Sequence, residues 1–292
     1  MAAWVLGVIG GSGLYEIEGL EDARWTSVES PFGQPSDDLF IGTLGDVRLV
    51  FLPRHGRGHR LPPSAVNARA NIDALKRAGC TDILSLSAVG SLREALAPGD
   101  FVVVDQFIDR TFAREKSFFG EGLVAHVSMA HPVCPRLSAL AAEAARAAGA
   151  RVVEGGCYLA MEGPQFSTQA ESALYRSWGC DVIGMTNMPE AKLAREAELP
   201  YASVAMVTDY DCWRDGVEHV DVAQILEVLA ANADKARALV RRLAAALPAT
   251  RAASPIDTCL DGALITAPAA RAPAMAAKLS AVAGRVLSLD PA

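Results

Sequence analysis

The chain has 292 residues, 51% of them hydrophobic, with 27 Lys and Arg against 34 Asp and Glu for a formal charge of −7, a length that supports one large α/β domain or two small ones. The acidic balance and the lack of a sustained basic run exclude nucleic acid as an expected partner, because a polyanion footprint needs a basic face. No stretch reaches the roughly 18 to 20 apolar residues that span a bilayer, and six scattered cysteines without CxxC or zinc spacing read as free thiols. These features predict a soluble, cytoplasmic protein with no membrane partner and no metal.

Residues 1–13 hold no Lys or Arg and run straight into glycines, which predicts a first strand rather than a leader peptide. The apolar run at 5–9 stops at Gly10-Gly11-Ser12-Gly13, a tight backbone turn. Residues 39–41 and 47–52 read as a hairpin, after which Arg54-His55-Gly56-Arg57-Gly58-His59-Arg60 sets five arginine or histidine side chains in a glycine-softened loop. Helical periodicity over 67–78 ends at Gly79, and a strand at 82–87 leads to the polar Ser87-Ala88-Val89-Gly90-Ser91. A buried strand at 101–105 and an alanine-rich helix at 135–148, with proline first and Gly149 behind, continue the alternation. Residues 151–161 read as extended and 169–178 as helical. A short strand at 181–183 enters Gly184-Met185-Thr186-Asn187-Met188-Pro189, and an amphipathic helix follows over 189–199. The apolar run 201–207 ends at Thr208-Asp209-Tyr210-Asp211, and 222–247 is one long helix closed by Pro248. Alternating strands and helices predict an α/β layer structure.

In open α/β sheets ligands bind outside the carboxyl ends of strands, which predicts that the loops at Ser12, Arg54, Ser87, Thr186 and Asp209 converge. Ser12, Arg54, His55, Ser87 and Thr186 offer a fixed cation and short donors suited to an oxyanion such as phosphate. Taken singly, each hydroxyl also fits an ordinary cap or turn, and Arg54-His55 also fits a solvated surface charge. Asp209 and Asp211 are two apart near a strand end and point to one side if the extended geometry persists. A partly buried carboxyl with a raised pKa shares a proton with a leaving group, while its neighbour accepts from an amino group; a turn or cap is the plainer account of the pair. Gly10-Gly11-Ser12-Gly13 lacks the GxGxxG spacing of a dinucleotide site.

Assembled, these residues resemble the trimeric purine nucleoside phosphorylases, most closely the members that act on S-methyl-5′-thioadenosine. The resemblance runs over residues 4–247. It is carried by Gly10-Gly11-Ser12-Gly13, Pro53-Arg54-His55-Gly56-Arg57, Ser87-Ala88-Val89-Gly90-Ser91-Leu92-Arg93, Asp105-Gln106-Phe107-Ile108-Asp109-Arg110-Thr111, Glu162-Gly163-Pro164-Gln165-Phe166-Ser167, Met185-Thr186 and Thr208-Asp209-Tyr210-Asp211-Cys212-Trp213. It implies a single α/β domain with a central mixed β-sheet flanked by helices over residues 1–250. Residues 251–292 follow as an Ala/Pro-rich extension of unassigned role, with one helix-compatible stretch at 274–282. The implied reaction is reversible phosphorolysis of an N-glycosidic bond in a homotrimer, with inorganic phosphate as co-substrate and no metal or other cofactor. Ser12, Arg54, His55, Ser87, Ala88 (through its backbone) and Thr186 are the implied phosphate ligands. Met185 is the implied sugar contact, Phe166, Ser167, Asp209 and Asp211 the implied base contacts, and Asp209 the implied catalytic acid. His126 and Val222 are implied to line the 5′ pocket, which a neighbouring subunit helps build; a structural histidine and plain core packing are the alternatives.

Hydrogen-bond polarity sets the expected base, since a 6-aminopurine presents a donor to a carboxylate and a 6-oxopurine an acceptor. Gly184 departs from the family pattern where some members have asparagine, while Ser12 and Ser87 keep the hydroxyl where some have threonine. The alternatives are a phosphorylase preferring adenosine or a 6-oxopurine nucleoside, a nucleoside hydrolase, and a non-catalytic nucleotide-binding module.

Overall fold

A computed structural model describes residues 4–11, 13–214 and 222–287, with the side chains of 222–226 outside that description. Eleven strands form one mixed sheet. Its spine is β1 (Val5–Gly10), β4 (Val47–Pro53), β5 (Asp82–Ser91) and β11 (Tyr201–Asp209), all parallel, with β1 between β4 and β5, and β11 on the other edge of β5. These strands read as near-continuous apolar runs because both faces of the sheet are covered. The hairpin partner β3 (Leu39–Leu44) and the edge strand β2 (Glu21–Thr26) extend one side. On the other side lie β10 (Val182–Gly184), β9 (Cys157–Ala160) and β7 (Gln106–Asp109), while β6 (Phe101–Val104) pairs with β11 and β8 (Val152–Glu154) with β6.

Helices α1 (Ala68–Arg77) and α4 (Asn187–Glu196) pack on one face, and α2 (Pro135–Ala147) and α5 (Val222–Ala246) on the other. Helix α1 starts where the Asn67 side chain accepts from Ala70 N, and its last turn carries Lys76 and Arg77 toward the negative end of the dipole. Helix α3 (Gln169–Ser177) opens on a reciprocal Thr168/Glu171 capping box. Beyond Pro248 the chain forms α6 (Pro273–Lys278) and α7 (Ser280–Leu287), broken at Leu279, in place of one helix at 274–282. Leu260, Leu279, Val282 and Ala283 are buried in the same core as α1 and α4. Arg251 pairs with Asp82 and Asp257, and Arg285 with Glu198.

Three expectations need correction. Ser87 lies inside β5 rather than in a loop after it, because the strand runs on to Ser91 by taking new neighbours. Residues 151–161 are two strands split at Gly155-Gly156, since the chain leaves β6 and joins β7 and β10 there. The alternative of a solvated surface charge at Arg54-His55 does not hold: Arg54 is only 3% exposed and His55 9%, while Arg57 to Arg60 are exposed.

Candidate active site

The site is a discontinuity in the sheet. On one edge of β5, β1 pairs in parallel only as far as Ser85, and β10 approaches antiparallel from the opposite direction, reaching Gly90 and Ser91. Between these two strand ends none of the described strands pairs with Ser87 and Ala88 on that edge, and Ala88 is exposed in mid-strand. The turn after β1 and the segment after β10 therefore open onto the same gap, where the strand order switches and a ligand fits.

Arg54 follows β4 and is held there by Arg54 N donating to Gly10 O at 2.8 Å. Its Nε and Nη2 donate to Glu190 at 3.0 and 3.2 Å, Nη2 also to Ser85 Oγ at 2.7 Å, and Nη1 to Leu86 O at 2.9 Å. Four of its five N–H groups are thus engaged. Burial presses on the guanidinium, but the Glu190 carboxylate outweighs it, so the cation is kept. His55 donates from Nδ1 to Leu61 O at 2.8 Å and stacks on His59. Burial, then the Arg54 charge, lowers its pKa to about 4, so the ring is neutral at pH 7 with Nε2 as an acceptor.

Thr186 lies between β10 and α4, with Oγ1 3.3 Å from the Tyr158 hydroxyl. Ser87 Oγ, buried beside the same phenol, has no hydrogen-bond partner of normal geometry. A buried hydroxyl without a partner carries a desolvation cost that a bound ligand removes.

At the far end of the gap, the β5–β11 register shifts between Val207 and Asp209 and sets Asp209 opposite Gly90. Asp209 Oδ2 accepts from Thr208 Oγ1 and Oδ1 from Asp211 N, both at 2.7 Å. The extended geometry does not persist: Asp211 turns into the left-handed region with φ 53°. The two carboxylates nevertheless stay together over Gly90, where a Cβ would stand 3.0 Å from Asp209 Oδ1 and 3.4 Å from Asp211 Cβ. Burial pushes both pKa values up, against the hydrogen bonds that stabilise the ionised forms. Asp211 Oδ2 is buried without a partner.

Ser167 joins this end because Cys212 Sγ donates to its carbonyl at 3.3 Å. Phe166 beside it is 61% exposed, and the Met185 thioether packs over Gly163 of the same segment. Sequence reasoning missed the groups that hold these pieces. Arg114 Nη1 donates to Met185 O at 2.6 Å and Met188 O at 2.8 Å, and Nη2 to Glu162 O at 2.6 Å, clamping the two segments together. Glu190, the anchor of Arg54, had a signal in hindsight: a buried arginine requires a buried carboxylate. His126 is not brought to this gap; it lines a hollow with Lys116, Lys192 and Glu196. Ser12 and the side chain of Val222 lie outside the described residues. Among the described residues no group of three or more His, Cys, Asp or Glu is placed to hold a metal ion, and no helix is long and apolar enough to cross a membrane.

A family model described as the Phosphorylase superfamily matches residues 5–245. An S-methyl-5′-thioadenosine phosphorylase of Cereibacter sphaeroides is 66% identical over 285 residues, covering 97% of this chain and 98% of that protein. A crystal structure of a methylthioadenosine phosphorylase from an antarctic soil metagenomic library superposes with a TM-score of 0.92 at 45% identity, over 97% of this chain and 99% of that one. A methylthioadenosine phosphorylase from Schistosoma mansoni in complex with adenine superposes with a TM-score of 0.82 at 40% identity, over 89% and 99% of the two chains.

Proposed function

The chain belongs to the phosphorylase superfamily, and from that membership we propose that it cleaves the N-glycosidic bond of S-methyl-5′-thioadenosine with phosphate, giving adenine and 5-methylthioribose 1-phosphate. The observation that carries this reading is the polarity of the gap along β5. A partnerless hydroxyl at Ser87 and an arginine with one N–H to spare mark one end, and two half-buried carboxyls over Gly90 mark the other. Three residues of strand separate them by about 10 Å, room for a sugar between an anion and a purine.

Phosphate held by Ser87, Thr186, the Ala88 backbone and the free N–H of Arg54 attacks the anomeric carbon as the bond to the purine breaks. Neutral His55 Nε2 accepts a hydrogen bond from a phosphate hydroxyl. The sugar carries oxocarbenium character at the transition state, so an anion fixed beside it supplies electrostatic stabilisation as well as the attacking oxygen. The electron pair of the breaking bond enters the purine, and Asp209, whose pKa burial raises, shares a proton with the imidazole nitrogen. Asp211 Oδ2, buried and unpartnered, is an acceptor for the 6-amino group. A 6-oxopurine would set an acceptor against it, which disfavours inosine-type substrates.

The reading extends to a cytoplasmic homotrimer. Phe112 is 82% exposed, Ile265 62% and Val124 38%; apolar groups of that size in water favour burial against another subunit. His126 and Val222 then belong to a 5′ pocket completed between copies.

Initial rates on methylthioadenosine, adenosine, methylthioinosine and inosine, each with and without phosphate, test the proposal. Phosphate-dependent adenine release, fastest from methylthioadenosine, is expected. Equal release without phosphate means a hydrolase, a preference for inosine overturns the role of the acidic pair, and binding without turnover means a binding module.

A further inference from the structure

Tyr158 is the one aromatic side chain of β9, and its ring is fully buried against Phe107, with centroids 5.7 Å apart. Its oxygen nevertheless reaches the gap, 3.3 Å from Thr186 Oγ1 and beside the unpartnered Ser87 Oγ. The chain makes room for it at one place: a Cβ on Gly184 would stand 2.0 Å from the phenolic oxygen and 2.7 Å from Cζ. Any side chain at 184 evicts the phenol. Gly184 and Tyr158 are therefore one feature, and the departure from asparagine at 184 is the space that a hydroxyl from the neighbouring strand fills.

The direction of the hydrogen bond follows from proton counting. Thr186 Oγ1 has one proton, which here faces Asn187 Oδ1 at 3.2 Å and which an oxyanion at the site draws instead; in both states the contact with Tyr158 is one in which the phenol donates. Burial raises the phenol pKa and keeps that proton in place at neutral pH.

We propose that Tyr158 is a positioning residue of the phosphate site: its phenol, admitted by Gly184, donates to Thr186 Oγ1 and holds the Ser87 and Thr186 hydroxyls in the arrangement that receives a tetrahedral oxyanion. The inference rests on the phosphorylase reading of the site. It goes beyond it by placing on β9 a group that acts on phosphate through Thr186, distinct from the base end. A residue that only fills the core affects stability; one that orients the cradle affects phosphate and leaves the nucleoside alone.

Tyr158→Phe removes the oxygen and keeps the ring. Its phosphate KM is expected to rise about tenfold, the worth of one hydrogen bond to a charged cradle, while the nucleoside KM stays within about twofold. The rise in melting temperature that phosphate confers on the wild type should shrink in parallel. Tyr158→Met, which also fills the slot without a hydroxyl, carries the same expectation should the Phe variant not fold. A phosphate KM and a phosphate-induced thermal shift both within about twofold of wild type overturn the proposal. Wild-type enzyme without phosphate-dependent turnover overturns the phosphorylase reading instead, and the thermal shift with inorganic phosphate then still reads the cradle.

Discussion

Asp209 is half-buried and Glu190 buried, and their surroundings give them opposite work. Glu190 receives Arg54, Ser85 and Tyr201, so every contact stabilises its charge. Asp209 receives a hydroxyl and one backbone N–H, and burial outweighs both and raises its pKa. Replacing Asp209 by Asn removes the transferable proton. The substitution is expected to lower kcat/KM on methylthioadenosine by about two orders of magnitude, the low end for general acid catalysis. An unchanged kcat/KM contradicts the role. Glu190→Gln leaves the Arg54 charge buried beside a neutral amide. Breaking a buried pair costs about 3–5 kcal/mol, so urea titration should show a loss of that order, with a higher phosphate KM because Arg54 is no longer fixed.

At the scale of elements, the site exists because β5 outlasts its partner β1. Strand β5 is apolar and buried up to Leu86, then presents Ser87 and Ala88 to the gap before β10 closes on it at Gly90. This is why periodicity found the strand but placed its end too early: hydroxyl and small residues look like a loop when the ligand replaces the neighbouring strand. The spine strands and the major helices were legible because apolar runs, Asn67, Pro135 and the helix-ending glycines are local signals. Strand β2, with the sequence EDARWT and four exposed residues, was not, since an edge strand needs charge more than alternation. The site residues followed from loop chemistry and resemblance, but Tyr158, Glu190 and Arg114 act through partners 28 to 136 positions away along the chain. No window of sequence contains such pairs. The segment after Pro248 was equally opaque, because its Ala/Pro composition hides that Leu279 is fully buried against the α1 and α4 core. Leu279→Ala is expected to cost about 2–5 kcal/mol by urea unfolding while leaving both KM values unchanged, since Leu279 is not among the residues that face the gap. A changed phosphate KM would instead tie the segment to the site.

At the scale of the whole molecule, two buried groups set opposing pH dependences of stability. Glu196, at the end of α4, is pushed up by burial from 4.5 to about 7, against hydrogen bonds from Phe118 N and Ser117. The unfolded chain gives up this proton first, so the contribution of Glu196 to stability is full below pH 4.5 and is lost as pH rises through 7. His55 is pushed down by burial and by Arg54 from 6.5 to about 4. The unfolded chain takes up that proton first, so the contribution of His55 is full above pH 6.5 and is lost as pH falls through 4. Across pH 4.5 to 6.5 the two slopes oppose each other, and single substitutions separate them. The stability of Glu196→Gln minus that of wild type should rise with pH between 4.5 and 7, because the variant lacks the group that wild type must ionise in its core. For His55→Asn the same difference should fall as pH rises from 4 to 6.5, because the variant lacks the group whose neutral burial favours wild type at higher pH. Melting temperatures at half-unit pH steps, in buffers without phosphate so that ligand binding does not enter, give both difference curves. A flat Glu196→Gln difference would mean that its carboxyl titrates alike in the folded and unfolded chains, and a flat His55→Asn difference would mean the same of its ring.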